Sequence, residues 1–177
     1  MVIQLMVWGV CELLMQSFDK NNFIYQIVIR KVNLSDMRNV YELSNQDYVR
    51  KYSINRNSID WNDHVKWFND VIRRNDIIFY VAYEKINSFI GQVRFQIQSS
   101  SATVSISVTP GFLGKGVSAI LLGECIIRLR NDKSEISNVI AFISNENLPS
   151  IRLFEKCGFL FVSESGGLRK YTKELKL

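Results

Sequence analysis

The chain is poor in the residues that build metal and redox sites. It holds one histidine, His64, and three cysteines, Cys11, Cys125 and Cys157, which lie far apart and show no C-x-x-C spacing. An odd, scattered set argues against a disulfide framework, and no metal-ligand cluster is expected. No Gly-Lys-Ser/Thr stands at Walker spacing and no G-x-G-x-x-G occurs, so neither of those nucleotide loops is present. Basic runs with interleaved aromatics are missing, which removes nucleic acid from the expected partners. Internal repeats and low-complexity tracts are absent as well. Residues 1–15 are apolar, yet they carry Gln4 and Glu12, lack a basic leader and a small-residue cleavage site, and fall short of the ~20 residues a membrane span requires. Neither a secretory signal nor a span is therefore expected, and the cytoplasm is the expected compartment.

What the chain does have is enough apolar mass for one core. With 177 residues, 47% of them hydrophobic, a single domain over 25–177 is the natural division, with 1–24 as an extension. That extension packs on the domain or on a partner chain, leaving a homodimer open, or reflects an upstream start codon, since Met15 could also initiate. The formal net charge of +5 suits small polyanionic ligands, although a merely soluble basic surface would give the same figure.

Periodicity places a strand at 26–30, then a helix opened by Ser35 and Asp36 with Met37, Val40, Tyr41 and Leu43 on its apolar positions. Residues 45–57 read as a polar, aromatic loop. Asp60 or Ser58 caps a second helix through Ile72, with His64, Trp67, Phe68 and Val71 at helical spacing. Strands at 77–83 and 89–98 flank a turn at 86–88, and 103–108 continues the meander. A helix at 116–130, a strand at 139–144, a helix at 149–157 and strands at 159–164 and 169–174 follow.

Two segments carry chemistry. Val108-Thr109-Pro110-Gly111-Phe112-Leu113-Gly114-Lys115-Gly116-Val117-Ser118 sets three glycines around a lysine between a β-branched run and an apolar helix. Glycine permits close backbone approach and positive φ, and the first N–H groups of a helix lack intrahelical partners, so the turn can hold a phosphate or diphosphate. A plain strand-to-helix connection would look similar. Downstream, Asn147-Leu148-Pro149-Ser150-Ile151-Arg152-Leu153-Phe154-Glu155-Lys156-Cys157-Gly158-Phe159 reads as a short helix with proline in its first turn and glycine past its end.

Together these segments resemble the acetyl-coenzyme A motif and the following N-x-x-S-x-x-L-F-E-K-x-G-F segment of the GNAT family of N-acetyltransferases, a likeness running from about Ile27 to the C-terminus. Against the family's Q/R-x-x-G-x-G/A, Leu113 takes the Gln/Arg position, Gly116 the first glycine and Ser118 the last small residue. The resemblance implies an α/β fold with a mixed, mainly antiparallel twisted sheet flanked by helices. Its fourth and fifth strands, 103–108 and 139–144, would splay around the pantetheine arm. It implies acetyl-CoA as acetyl donor and direct attack by an amine in a ternary complex. Diphosphate would lie on Leu113, Gly114, Lys115, Gly116, Val117 and Ser118. Val108 would offer a backbone N–H to the oxyanion, and Asn147 would bond the pantetheine or order its turn, with helix capping as the plain alternative. Many members have tyrosine where this chain has Phe154, which cannot protonate the thiolate. Water or Ser150 would substitute, a thiol of pKa about 8.5 being a fair leaving group.

On the acceptor side, residues 43–53 and 64–68, with 90–95 and 104–108, resemble enzymes that N-acetylate a UDP-linked 4-amino-4,6-dideoxy sugar on the pseudaminic acid route. The expected partner is such a UDP-linked amino sugar, contacted by Asn45, Arg50, Ser53, His64, Trp67 and Arg94, with Tyr48, Tyr52 and Trp67 as stacking faces. His64, with an ordinary pKa near 6.5, is a candidate base, or else a filler of the helix interface. Asp47 and Glu84 are further candidate bases. An acetyltransferase for a protein N-terminus, amino acid or polyamine and a non-catalytic acyl-CoA binding module are the competing readings.

Overall fold

A computed structural model describes residues 27–84 and 88–175. The extension 1–24, Cys11 and turn residues 86–87 lie outside the described residues.

Seven strands form one sheet in the order β1-β2-β3-β4-β5-β7-β6. They are β1 (Ile27–Lys31), β2 (Ile77–Glu84), β3 (Phe89–Gln98), β4 (Ser101–Val108), β5 (Asn138–Ser144), β6 (Leu160–Ser165) and β7 (Leu168–Glu174). Every pairing is antiparallel except β4 with β5. Strand β2 is almost continuously apolar because both of its faces are covered. Phe79 and Val81 meet Val40 of helix α1 (Met37–Ser44) and Phe68 and Val71 of helix α3 (Trp61–Val71). The alternate residues Ile78, Tyr80 and Ala82 join the larger core under helices α4 (Val117–Asp132) and α5 (Leu148–Lys156).

The start of α1 differs from the sequence expectation. Asn33, rather than Ser35, caps a 3-10 turn, Leu34–Asp36, accepting from Ser35 N at 2.9 Å. Asp36 is fully buried, takes both guanidinium nitrogens of Arg30 at 2.7 Å, and accepts from Tyr83 Oη at 2.7 Å and Asn33 N at 2.8 Å. Burial pushes this carboxyl's pKa up, but the Arg30 and Tyr83 hydrogen bonds outweigh that and hold it below its ordinary value. The stretch expected as loop, 45–57, contains a single helical turn, α2 (Asp47–Arg50), too short to leave an apolar period. Of the two caps considered for α3, Asp60 is used, accepting from Asn62 N at 2.7 Å.

Among the described residues no helix is long and apolar enough to cross a membrane, and no group of three or more His, Cys, Asp or Glu is placed to hold a metal ion.

Candidate functional site

The site begins where two parallel strands part. β4 and β5 pair only at Ser101↔Asn138, Ala102↔Val139 and Thr103↔Ile140, while β4 keeps β3 along its whole length and β5 keeps β7. Beyond Thr103 a slot opens. Thr109 N donates to Ile90 O at 2.8 Å, so by the alternation of an antiparallel ladder the N–H and C=O of Val108, Ile106 and Val104 point away from β3, into the slot. Across it, Asn145 N donates to Gly167 O at 3.0 Å, which turns the backbone of Phe142 and Ser144 inward. Such groups require partners, and an extended chain bearing amides supplies them. The Ser144 carbonyl already has one, Asn147 N at 2.9 Å, and so does the Val108 carbonyl, the Tyr48 hydroxyl at 2.7 Å. Its N–H has no hydrogen-bonded acceptor among the described residues.

At the mouth of the slot lies the glycine turn. Gly114 and Gly116 have φ of 73° and 77°, a conformation that admits glycine readily, and Gly116 is the N-cap of α4 without side-chain capping. Leu113 N is committed to Pro110 O at 3.2 Å, and Ala119 N to Gly116 O at 3.1 Å. Between them, the N–H groups of Gly114, Lys115, Gly116, Val117 and Ser118 have no acceptor among the described residues. Residues 113–116 are exposed and Val117 is buried, anchoring the turn to the core. Consecutive free N–H groups at the positive end of a four-turn helix form an anion cradle. The backbone of this chain thus fits a diphosphate-bearing thioester such as acetyl-CoA: anion cradle at one end, amide-pairing edges along the slot.

Helix α5 closes the far side. Asn147 caps it, accepting Ser150 N at 3.2 Å, so the capping role is realised. Ser150 is half-buried in the first turn. Phe154 is 4% exposed and meets Phe159 edge-on at 4.9 Å, a core contact that a hydroxyl would have to fit around. Cys125 is buried, its thiol pushed up to about 12 by burial, and is no nucleophile at neutral pH.

The acceptor-side candidates separate into two groups. His64 is 1% exposed, caged by the rings of Tyr41, Trp61, Trp67 and Phe68, and its Nε2 lies 3.1 Å from Met37 O. Burial lowers its pKa, keeping it neutral with Nε2–H donating to that carbonyl. It fills the helix interface and is not placed as a base. Asn45 is likewise spent as a staple, its amide bonded to both Ile59 N (2.7 Å) and Ile59 O (3.1 Å). Ser53 Oγ donates to Val49 O at 2.9 Å. Arg50 braces the same loop through the carbonyls of Ser44 and Asn55, leaving its buried Nε without a partner. Arg94 remains near the slot, its guanidinium over the half-buried Trp67 ring at 5.2 Å.

Register sets beside Arg94 two residues to which the sequence reading assigned no role, Gln92 and Gln96. Gln92, Arg94 and Gln96 pair with Ser107, Ser105 and Thr103, and share the α1/α3 side of the sheet with Phe79 and Val81. Gln92 Nε2 donates to Ser44 Oγ at 3.3 Å, and its Oε1 is buried without a partner. The signal was the alternation of Gln92, Arg94 and Gln96 with Val93 and Phe95. A surface cavity of about 630 Å³ between α1 and residues 58–60, lined by Tyr41, Asn45, Ile59 and Asp60 among others, touches neither slot nor cradle. Orphaned backbone donors make the slot and the glycine turn the candidate site rather than that hollow.

A sheet parted at one parallel pair, with unbonded N–H groups at the start of the following helix, gives an α/β domain whose backbone fits a phosphorylated, amide-bearing carrier. Residues 26–160 match the family model described as acetyltransferase (GNAT) domain, and the chain belongs to that family, whose members use acetyl-CoA. It is 31% identical over 103 residues to the protein named "Putative phosphinothricin acetyltransferase YwnH" of Bacillus subtilis (strain 168), across 55% of this chain and 61% of that protein. In fold it resembles the spermidine N-acetyltransferase of Vibrio cholerae solved with CoA and spermine, with TM-score 0.75 and 19% identity over 84% of this chain and 95% of that one. A domain from Methanocaldococcus jannaschii DSM 2661 superposes with TM-score 0.72 and 20% identity, covering 85% and 99% of the two chains.

Proposed function

We propose that this chain transfers the acetyl group of acetyl-CoA to the amine of a polar, neutral-to-anionic acceptor, with a nucleotide-linked amino sugar as the best reading. Acetyl-CoA supplies the thioester, and the reaction forms a C–N bond, breaks the C–S bond and moves one proton from amine to thiolate. The chain's own groups bind and orient: N–H groups of residues 114–118 receive the diphosphate, the slot edges receive the pantetheine amides, and Val108 N–H faces the carbonyl oxygen as charge develops there. A main-chain donor fixed in a paired strand needs no reorganisation at that moment. Phe154 offers no proton to the thiolate, so that proton comes from water or from Ser150.

One observation carries the acceptor class. The stripe beside the slot, Gln92, Arg94, Gln96, Thr103, Ser105 and Ser107, contains hydroxyls, amides and a guanidinium but no carboxylate. Such a surface suits sugar hydroxyls and phosphate and repels a polycation. The similarity to a protein named for phosphinothricin acetylation supports a second reading, a small anionic amino acid as acceptor. The test is thiol release from acetyl-CoA with a UDP-4-amino-dideoxy sugar, phosphinothricin, spermidine and basic peptides. Turnover of the sugar nucleotide alone supports the first reading and of phosphinothricin alone the second. Spermidine or peptides as the best acceptors would reject both, and acetyl-CoA binding without any turnover would mark a binding module.

A further inference from the structure

Tyr48 stands where the acceptor side of the domain touches the slot. It projects from α2, a turn pinned by Lys51 N on Asp47 O at 2.8 Å, Ser53 Oγ on Val49 O and Arg50 on the Ser44 carbonyl. Its hydroxyl crosses to Val108 O, 60 residues on, at 2.7 Å. A phenol has a single proton to donate and two lone pairs. Because that proton is committed to the Val108 carbonyl, the oxygen has only lone pairs left for a ligand. Gln92 repeats this logic. Its amide nitrogen is spent on Ser44 Oγ, and its buried Oε1 is an acceptor without a donor, one residue along β3 from Gly91, the partner of Val108 in the ladder. Both groups ask for N–H donors beside the Val108 backbone.

We propose that Tyr48 holds the acceptor amine, taking one amine N–H on its phenolic oxygen while its own proton stays on the Val108 carbonyl, with Gln92 Oε1 as a second hydrogen-bond acceptor for that amine. The inference rests on the transferase reading above. It assigns Tyr48 the job of aiming the nitrogen lone pair, since an amine whose N–H bonds are held on fixed acceptors keeps that lone pair toward the thioester. Burial raises the pKa of the Tyr48 hydroxyl, so it stays a neutral phenol through the physiological range and is not itself a base.

The test compares aminolysis with hydrolysis. Wild type, Tyr48→Phe and Gln92→Leu are each given acetyl-CoA with and without the best amine of the panel, and acetyl-CoA affinity is measured by calorimetry. Tyr48→Phe should lower aminolysis kcat/KM by about 10- to 100-fold, the loss expected when a nucleophile is no longer aimed. Acetyl-CoA affinity should stay within about twofold in that variant, and aminolysis should fall about tenfold more than thiol release to water, which shares the Val108 N–H but does not involve the amine. Gln92→Leu should act in the same direction, mainly on the amine KM. Undiminished aminolysis in Tyr48→Phe overturns the proposal, as does an equal fall in aminolysis, hydrolysis and cofactor affinity, which would reduce Tyr48 to a clamp on β4. If wild type binds acetyl-CoA yet acetylates no amine, the transferase reading itself fails and this inference falls with it. Far-ultraviolet circular dichroism and melting confirm that each variant is folded.

Discussion

Gly91→Ala tests how closely β3 and β4 must approach at the reacting end of the slot. Gly91 is opposite Val108, and a Cβ built on it would stand 2.9 Å from Val108 Cα, 3.3 Å from Ser107 C and nearer still to the Ser107 carbonyl oxygen. All three are backbone atoms within a paired ladder, so no side chain can swing aside. Restoring an ordinary contact of 3.4 Å to Val108 Cα moves β4 by about 0.5 Å, and relieving the carbonyl oxygen moves it further. Overpacking of this kind costs ~1–3 kcal/mol, and the lower chain entropy of alanine in the unfolded state returns ~0.4–1 kcal/mol. The expected net loss is about 1–2 kcal/mol, read as a lower urea midpoint at unchanged slope. The rate should suffer more than the stability implies. A misplacement of ~1 Å at a reacting centre costs about 10²-fold, so half of that at Val108 N–H should lower kcat about tenfold. Cofactor affinity, which we propose residues 114–118 set, should hardly change. Gly91→Ala with wild-type urea midpoint and wild-type kcat would show that the strands are not held at this separation and would sink the argument.

Gly116→Glu should abolish acetyl-CoA binding in calorimetry, since it forces a side chain onto φ 77° and sets a carboxylate among the free N–H groups of the cradle; unchanged affinity would refute the cradle. Asp36→Asn should destabilise by about 2–3 kcal/mol, less than a fully buried pair because Arg30 keeps 37% of its side chain exposed. Since the Asp36 pKa lies below its unfolded value near 3.9, its contribution is complete above about pH 4 and lost as pH falls through the folded value. Denaturant titrations below pH 4 should therefore show a shallower acid limb in the variant than in wild type. His64 is buried neutral with a lowered pKa, so the unfolded chain binds the extra proton first. Stability should be full above about pH 6.5 and decline as pH drops toward the folded value, a slope that His64→Phe should flatten while leaving the pH dependence of kcat unaltered.

Local signals determined a good deal of this molecule. Asp60 ahead of an apolar period, Asn147 with Pro149 in the next turn, Gly158 past the helix end and Gly116 before α4 are features of a few neighbouring residues, and each acts as its chemistry dictates. The splayed pair implied by the family resemblance is present as well, β4 and β5 parting beyond Thr103. Tertiary structure decided what those signals could not carry. Whether His64 faced the slot or the core depended on α1 supplying Met37 O, 27 residues upstream, and on four rings closing around it. Arg50 and Asn45 read as ligands for a substrate until the fold brought Asn55 and Ile59 to them. Tyr48 meets Val108 across 60 residues, and Gln92 reaches Ser44 across 48, because register and helix placement bring them together. Periodicity, caps and glycine turns express interactions within one or two turns of chain, and so they can be read in order along it. The direction in which a polar side chain spends its donor is fixed by whichever distant backbone group the sheet delivers to it, and no local pattern holds that information.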